Sequence, residues 1–181
     1  MIERPVQLLS STGQIVNGLI RTMQRRHWSD FQSVWQGILI ELEQPDARWM
    51  WDYKLRQAQQ ESRYEAYALE VESFTQGLLF LETQWRRSHF PQRYPLVYVE
   101  ALASAPWNRS AIERPPFLRG VGRTLLLFAR RRSVELGYGG RVGFHSLPEA
   151  EGFYRHLQVP DYGADPEKED LVYFEYGAIQ S

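Results

Sequence analysis

The chain has 181 residues, of which 43% are hydrophobic and 24% charged, with a net charge of −1 and no cysteine. This length predicts a single domain over residues 1–181 that needs neither a disulfide nor a metal to hold its core. The charge argues against nucleic acid as a partner, and the lack of cysteine excludes disulfides, thiolate nucleophiles and cysteine-ligated zinc. Because no signal peptide and no bilayer-spanning stretch is found, we expect no membrane association and a cytoplasmic location.

The first predicted elements flank a turn. Residues 6–10 and 14–23 lie on either side of Ser11-Thr12-Gly13, a cluster of turn-forming residues. This order favours a strand, a turn, and then a second strand or the start of a helix.

Two helices are predicted next. The first begins with the spacing of a capping box, in which Ser29 is the N-cap and Gln32 reaches back to it. The second covers residues 47–60 and turns Trp49 and Tyr53 inward. The apolar residues of the first helix recur on one face, at Phe31, Val34, Trp35, Ile38 and Leu42.

Strands and helices alternate in the rest of the chain. Gly77 predicts a turn between a half-buried strand at 67–71 and a second strand at 78–83. The later elements are a central strand at 96–103, a helix from Gly120 or Val121, a strand at 141–145, a helix capped by Ser146-Leu147-Pro148-Glu149, and a strand at 171–176. This order predicts an α+β layered domain.

A segment with two glycines joins the predicted central strand to the next helix. Gly120 and Gly122 let the backbone approach a ligand closely, and the first turn of a helix offers unpaired N–H groups. Together these features suit a diphosphate. The segment is not the dinucleotide G-x-G-x-x-G motif, because Leu125 stands at the third glycine position, and it is not a P-loop. On this spacing alone, a tight strand-to-helix turn is an equal alternative.

Two linked motifs resemble those of the GNAT superfamily of acetyltransferases. The segment 117–125 is similar to the family's Gln/Arg-x-x-Gly-x-Gly/Ala, placed after a central strand. Downstream, Ala150-Glu151-Gly152-Phe153-Tyr154 is similar to the family's Ala-x-x-Phe-Tyr, placed after a short strand. The resemblance covers residues 96–157 best.

The sequence also departs from the family pattern. Phe117 replaces the first Gln/Arg, Leu147 stands where many members have an asparagine, and Leu157-Gln158-Val159 replaces Leu-Gly-Phe. These departures keep open a non-catalytic module that binds acyl-CoA or a partner protein on the same scaffold.

The resemblance implies a fold, a cosubstrate and a reaction. The fold is a central mixed, mostly antiparallel sheet flanked by helices on both faces. The reaction is direct attack of an acceptor amine, on a small molecule or a peptide, at the thioester of acetyl-CoA, and a homodimer is one option. The residues implied to bind acetyl-CoA are Ala103, Ser104, Leu118, Arg119, Gly120, Val121, Gly122, Arg123 and Thr124.

Candidate catalytic residues lie on either side of that loop in the sequence. Tyr154 matches the family's general acid, and its alternative is a core residue with a paired hydroxyl. Glu100, the one charge in an apolar strand, is a candidate base, and His145 at a strand end is a second. A half-exposed glutamate and a packed histidine are the corresponding structural alternatives.

The loop before the glycine segment holds a candidate acceptor site. Trp107, Asn108 and Arg109 bring a ring, an amide and a guanidinium together, a combination that suits a polar or anionic acceptor. The alternative is a loop held in place by burial of the tryptophan.

Overall fold

The computed structural model describes residues 2–179. Its strands are β1 (Glu3–Ser10), β2 (Ile15–Thr22), β3 (Tyr64–Val71), β4 (Phe74–Glu82), β5 (Val97–Ser104), β6 (Leu118–Arg119), β7 (Val142–Ser146), β8 (Asp161–Asp165) and β9 (Leu171–Tyr176). Its α-helices are α1 (Arg25–Asp30), α2 (Gln36–Glu41), α3 (Trp51–Gln60), α4 (Val121–Glu135) and α5 (Glu151–His156).

The strands form one mixed sheet in the order β6-β1-β2-β3-β4-β5-β7-β9-β8. β5 and β7 run parallel, whereas β1 pairs antiparallel with β2 and β6, and β9 pairs antiparallel with β7 and β8. A mixed sheet flanked by helices confirms the α+β class that the element order predicted.

The chain divides into two compact units. Unit 1 contains residues 1–80 and 101–125, and unit 2 contains residues 81–100 and 126–181. Strands β4 and β5 and helix α4 each contribute residues to both units. A single domain over residues 1–181 stays a prediction.

The first helical segment differs from its prediction in start and in face. Gln24, not Ser29, is the N-cap of α1, and its backbone N–H donates to Nδ1 of His27 at 2.7 Å. A π-helical turn at Phe31–Trp35 then separates α1 from α2. A π turn, with i→i+5 hydrogen bonds, contains one residue more than an α-helical turn. The buried positions of this segment fall four apart, at Phe31, Trp35 and Leu39.

For both early helices, the prediction of which residues face inward is therefore partly wrong. Val34, Ile38 and Leu42 are exposed, since the π turn moves the face away from them. α3 begins at Trp51 rather than 47, buries Trp51 and Leu55, and leaves Tyr53 half exposed.

Gly77 lies within β4 and not in a turn. The turn between β3 and β4 is made by Glu72 and Ser73, whose φ angles are 50° and 69°. A Cβ at Gly77 would come within 2.8 Å of both Val121 Cγ1 and Leu125 Cδ1. Gly77 therefore serves the close packing of α4 on the strand.

Other elements show where local patterns suffice. β5, β7, β9 and the start of α4 agree with prediction within one residue, and Val121, Leu125, Phe128 and Ala129 are buried as predicted. β3 is buried on both faces rather than half buried, and β8 was not predicted. The Ser146 hydroxyl donates to the carbonyl of Leu147 and caps no helix.

Candidate active site

The predicted diphosphate loop lies in unit 1, between β6 and α4. Gly120 has a φ of +85°, a conformation that favours glycine, and a Cβ there would meet nothing within 4 Å. The backbone N–H of Thr124 donates to the carbonyl of Gly120 at 2.8 Å. The N–H groups of Val121, Gly122 and Arg123 precede this bond, so the helix supplies them with no carbonyl partner.

Charge and exposure around the loop also fit an anion. α4 is a helix of 15 residues, and these N–H groups lie at its N-terminus, where the helix dipole has its positive end. Arg119 and Arg123 are exposed beside them. Ala103 and Ser104 lie at the end of β5 in the same unit. The residues present therefore fit a bound diphosphate, with backbone N–H groups that have no helical carbonyl partner and with added positive charge.

Trp107 and Asn108 use their polar atoms within unit 1. Nε1 of Trp107 and Nδ2 of Asn108 donate to Oε1 of Gln76 at 3.0 and 2.8 Å. Oδ1 of Asn108 accepts from the N–H of Leu118 at 2.9 Å. These bonds fix the loop that leads to β6, and contact with an acceptor stays a prediction.

Arg109 makes a two-pronged ion pair with Asp46. Its Nη1 and Nη2 donate to the two carboxylate oxygens at 2.8 and 2.6 Å, and its Nε donates to the carbonyl of Ser104 at 2.9 Å. The two side chains are only 15% and 7% exposed. The hydrogen bonds of the Arg109 guanidinium are therefore made within the fold.

Tyr154 lies in unit 2 among aromatic rings. Its ring centroid is 4.4 Å from that of Phe144 and 5.5 Å from that of Phe174. Burial raises the pKa of the phenol above its usual range, so the hydroxyl keeps its proton at neutral pH. Among residues 2–179 the Tyr154 hydroxyl forms no hydrogen bond, although its ring is packed in the core, and its role as a general acid stays a prediction.

Glu100 lies in β5, beyond the part of that strand that pairs with β7. The parallel register joins Val97 to Val142 and Tyr98 to Gly143. Past Tyr98, no further pairing of β5 with β7 occurs within the described chain, so the two strands part before Glu100. The Glu100 carboxylate is 3.4 Å from Nη2 of Arg86 and its side chain is 26% exposed.

The comparisons with known proteins give structural matches only. No protein-family model and no curated protein matches the chain by sequence. A protein from Desulfovibrio desulfuricans that is assigned to the GNAT family of acetyltransferases aligns with a TM-score of 0.62 at 10% identity, covering 88% of this chain and 98% of that one. The PaiA N-acetyltransferase of Thermoplasma acidophilum aligns with a TM-score of 0.58 at 11% identity, covering 87% and 97%. The chain has the GNAT acetyltransferase fold.

A third structural match is AAC(6')-Iy in complex with the bisubstrate analogue CoA-S-monomethyl-acetylneamine. It has a TM-score of 0.55 at 17% identity, and the alignment covers 78% of this chain and 86% of that one. The fold is common to these matches although the identities are low.

Besides Tyr154 and Glu100, unit 2 of this GNAT fold contains a hydrogen-bonded row of polar side chains. The Tyr98 hydroxyl lies 2.6 Å from Nδ1 of His145, and Nε2 of His145 lies 2.7 Å from Oδ2 of Asp165. Burial lowers the pKa of His145 and raises that of Tyr98 to about 12. Both groups are therefore neutral at pH 7. Both ring nitrogens of His145 are hydrogen-bonded, as a packed histidine would have them, and its role as a base stays a prediction.

A second polar cluster lies beside that row. The Glu175 carboxylate accepts hydrogen bonds from Tyr173 Oη at 2.6 Å and from Ser88 Oγ at 2.5 Å. The His89 ring stacks on the Tyr173 ring with centroids 3.6 Å apart. Sequence reasoning missed these residues, because they come from two segments more than 80 positions apart in the chain and carry no local motif.

His89, His145 and Asp165 also bring potential metal-ligand atoms within 4.8 Å of one another. Metal binding there would have to break the hydrogen bond between His145 and Asp165. Arg86 and Lys168 line the same cleft, and their charges oppose a second cation. This group of side chains is therefore better suited to fixing the orientation of the His145 ring than to binding a metal.

A smaller cleft of about 210 Å³ lies in unit 1, and its lining includes Trp28, Trp49 and Trp51. Nε1 of Trp51 is buried without a hydrogen-bond partner among the described residues.

Within the described residues, no helix is long and apolar enough to cross a bilayer.

Proposed function

We propose that the chain is an acetyl-CoA-dependent N-acyltransferase that moves an acetyl group to an acceptor amine. The observation that carries this proposal is the open anion-binding turn at Gly120, at the start of α4, in a chain with the GNAT fold. Structural neighbours support the cosubstrate, since the PaiA structure contains coenzyme A.

Unit 1 supplies the binding part of the proposed site. The N–H groups of Val121, Gly122 and Arg123 donate to the diphosphate, and the exposed side chains of Arg119 and Arg123 add positive charge. Backbone N–H groups near Ala103 and Ser104 meet the negative charge that develops on the thioester oxygen. Acetyl-CoA supplies the acetyl group and the leaving thiolate.

Unit 2 supplies the proton transfers. An alkyl amine with a pKa of about 10.4 is almost fully protonated at pH 7, so attack needs a base. Glu100 accepts the amine proton, directly or through a water molecule. The neutral amine nitrogen bonds to the acetyl carbon, the carbon–sulfur bond breaks, and Tyr154 donates its proton to the sulfur. The second proton that the nitrogen loses on becoming an amide passes through water to the Tyr154 phenolate and restores the acid. Burial raises the pKa of the Tyr154 phenol, so the phenol takes that proton back readily.

Release of coenzyme A tests this proposal. Because the chain has no cysteine, a thiol-reactive dye reports only the released coenzyme A. We expect turnover of acetyl-CoA with at least one member of a panel of small amines and peptides. Tyr154→Phe should lower kcat by about 100-fold, the lower end of the range for a general acid, without changing the affinity for acetyl-CoA.

The control is Tyr53→Phe, which removes a hydroxyl from a half-exposed tyrosine on α3. It should leave kcat unchanged. If coenzyme A binds but no acceptor is turned over, the chain is the non-catalytic acyl-CoA-binding module, and the enzyme proposal is wrong.

A further inference from the structure

A cleft of about 720 Å³ lies within unit 2 and takes no part in the steps above. Tyr98, His145 and Tyr173 are among the residues that line it, and Trp85, 66% exposed, is another. The charged side chains of the lining are four basic and two acidic ones, namely Arg86, Arg87, Arg93, Lys168, Asp165 and Glu167.

Part of this positive charge is uncompensated. Within residues 2–179, the side chains of Arg93 and Lys168 form no hydrogen bond or ion pair. The Asp165 carboxylate already accepts from His145 at 2.7 Å and from the N–H of Glu167 at 3.0 Å. A cleft with excess positive charge in a chain of net charge −1 indicates a ligand of negative charge.

One residue of the lining contacts the proposed base, Glu100. Arg86, in its lining, lies 3.4 Å from the Glu100 carboxylate, and its guanidinium carbon lies 4.5 Å from the Tyr98 ring centroid. Tyr98 and Glu100 are two residues apart on β5 and share a face of the sheet. His145 bonds to Tyr98 on that face, whereas its neighbour Phe144 packs against Tyr154. The cleft therefore opens on the face that carries the base, opposite the face that carries the acid.

We propose that this cleft binds the acceptor, and that the acceptor carries a carboxylate or phosphate beside its amine. This inference rests on the proposed acetyl transfer. The guanidinium of Arg93 and the ammonium of Lys168 hold the anion, because a guanidinium matches the oxygens of either group. The amine then faces Glu100, whose pairing with Arg86 is exchanged for contact with the substrate. The exposed Trp85 ring offers a surface for the body of the acceptor.

Matched acceptors test the charge requirement. We expect kcat/KM to be about tenfold higher for phosphoethanolamine than for ethanolamine, or for β-alanine than for β-alaninamide, because two partly exposed charge contacts together contribute about a factor of ten. A preference in only the first pair identifies phosphate as the group, and a preference in only the second identifies carboxylate. Equal or better use of both neutral acceptors would overturn the proposal.

A double variant tests the residues. Arg93→Gln with Lys168→Gln should reduce the anionic-to-neutral ratio of kcat/KM by about tenfold, mainly through KM for the anionic acceptor. The matched control, Arg25→Gln with Arg56→Gln, removes the same charge from exposed residues of unit 1 and should leave the ratio unchanged. A fall of equal size in the control would show a general charge effect and contradict the proposal.

Binding without acetyl-CoA separates this inference from the proposed function. Phosphoethanolamine and β-alanine are titrated into the wild-type chain and the double variant, and chemical shifts are followed by NMR. Saturable binding that the double variant loses, without turnover of any acceptor, supports the cleft and contradicts acetyl transfer. Turnover of neutral acceptors without binding of either anion supports acetyl transfer and contradicts the cleft.

Discussion

At the scale of single residues, the side chains predicted to contact an acceptor are engaged within the fold. Trp107 and Asn108 share the Gln76 side chain, and Arg109 pairs with Asp46. Sequence reasoning identified the residues but could not identify their partners, because Gln76 and Asp46 lie more than 30 positions away. Tyr154 differs from these residues, since its hydroxyl forms no hydrogen bond within residues 2–179, and the acid role that its motif predicted stays a prediction.

Removing the Arg109 guanidinium tests its part in the fold. Arg109→Met should lower the free energy of unfolding by about 3 kcal/mol, because it leaves a buried Asp46 carboxylate without its partner. Urea unfolding measures the loss. The double variant Asp46→Leu with Arg109→Met should recover much of it, since no unpaired charge remains.

The control for this prediction is Arg56→Gln. Arg56 pairs with Asp52 at 3.1 Å, but both side chains are well exposed, at 56% and 38%. An exposed helix pair of this spacing contributes only about 0.5 kcal/mol. Equal losses from Arg109→Met and Arg56→Gln would show that burial of the Arg109–Asp46 pair has no special effect.

At the scale of elements, two features depart from the local sequence pattern. The π turn at Phe31–Trp35 changes which residues of the first helical segment are buried. Gly77, inside β4, lets the first turns of α4 approach the strand, and the first of these turns carries the N–H groups that we propose for the diphosphate. The glycine that sequence reasoning assigned to a turn therefore contributes to helix packing.

Alanine at Gly77 should disturb that packing. A Cβ there would overlap Val121, whose branched side chain has one strongly favoured rotamer in a helix. We expect Gly77→Ala to lower the free energy of unfolding by about 1–3 kcal/mol, as measured by urea unfolding.

The matched control is Gly152→Ala in α5, where a Cβ meets nothing within 4 Å and the backbone is helical. It should raise the free energy of unfolding by about 0.5–1 kcal/mol. A Gly77→Ala variant as stable as the wild type would contradict the packing argument.

At the scale of the whole molecule, each unit contains one part of the proposed chemistry. The diphosphate loop lies in unit 1, and Tyr154, Glu100 and the basic cleft lie in unit 2. A ligand that binds the folded chain and not the unfolded one stabilises it by mass action.

Thermal unfolding should detect the binding of coenzyme A as a rise in Tm. Coenzyme A at about 100 times its dissociation constant adds about 2.7 kcal/mol to the free energy of unfolding. For a chain of 181 residues this raises Tm by about 5–10 °C. Pantetheine, which lacks the diphosphate, should give a much smaller shift. An equal shift from pantetheine, or none from millimolar coenzyme A, would contradict a diphosphate site at Gly120.

The sequence by itself determined the features that depend on neighbouring residues. These are the central strand β5, the glycine turn into α4, the succession of β3, β4, β5, α4, β7, α5 and β9, and the position of Tyr154 in its motif. Hydrophobic period, turn chemistry and motif spacing are local properties, so they can be read along the chain.

Only the tertiary structure decided which distant side chains meet. The cleft combines residues from the segment before β5, from β5, β7, β8 and β9, and from the segment between β8 and β9. The tertiary structure also showed that the side chains of Trp107, Asn108 and Arg109 form hydrogen bonds within the fold, and that β5 and β7 separate after Tyr98. Strand register and pairing are set by contacts between residues far apart in the chain, and no single segment of the sequence carries them.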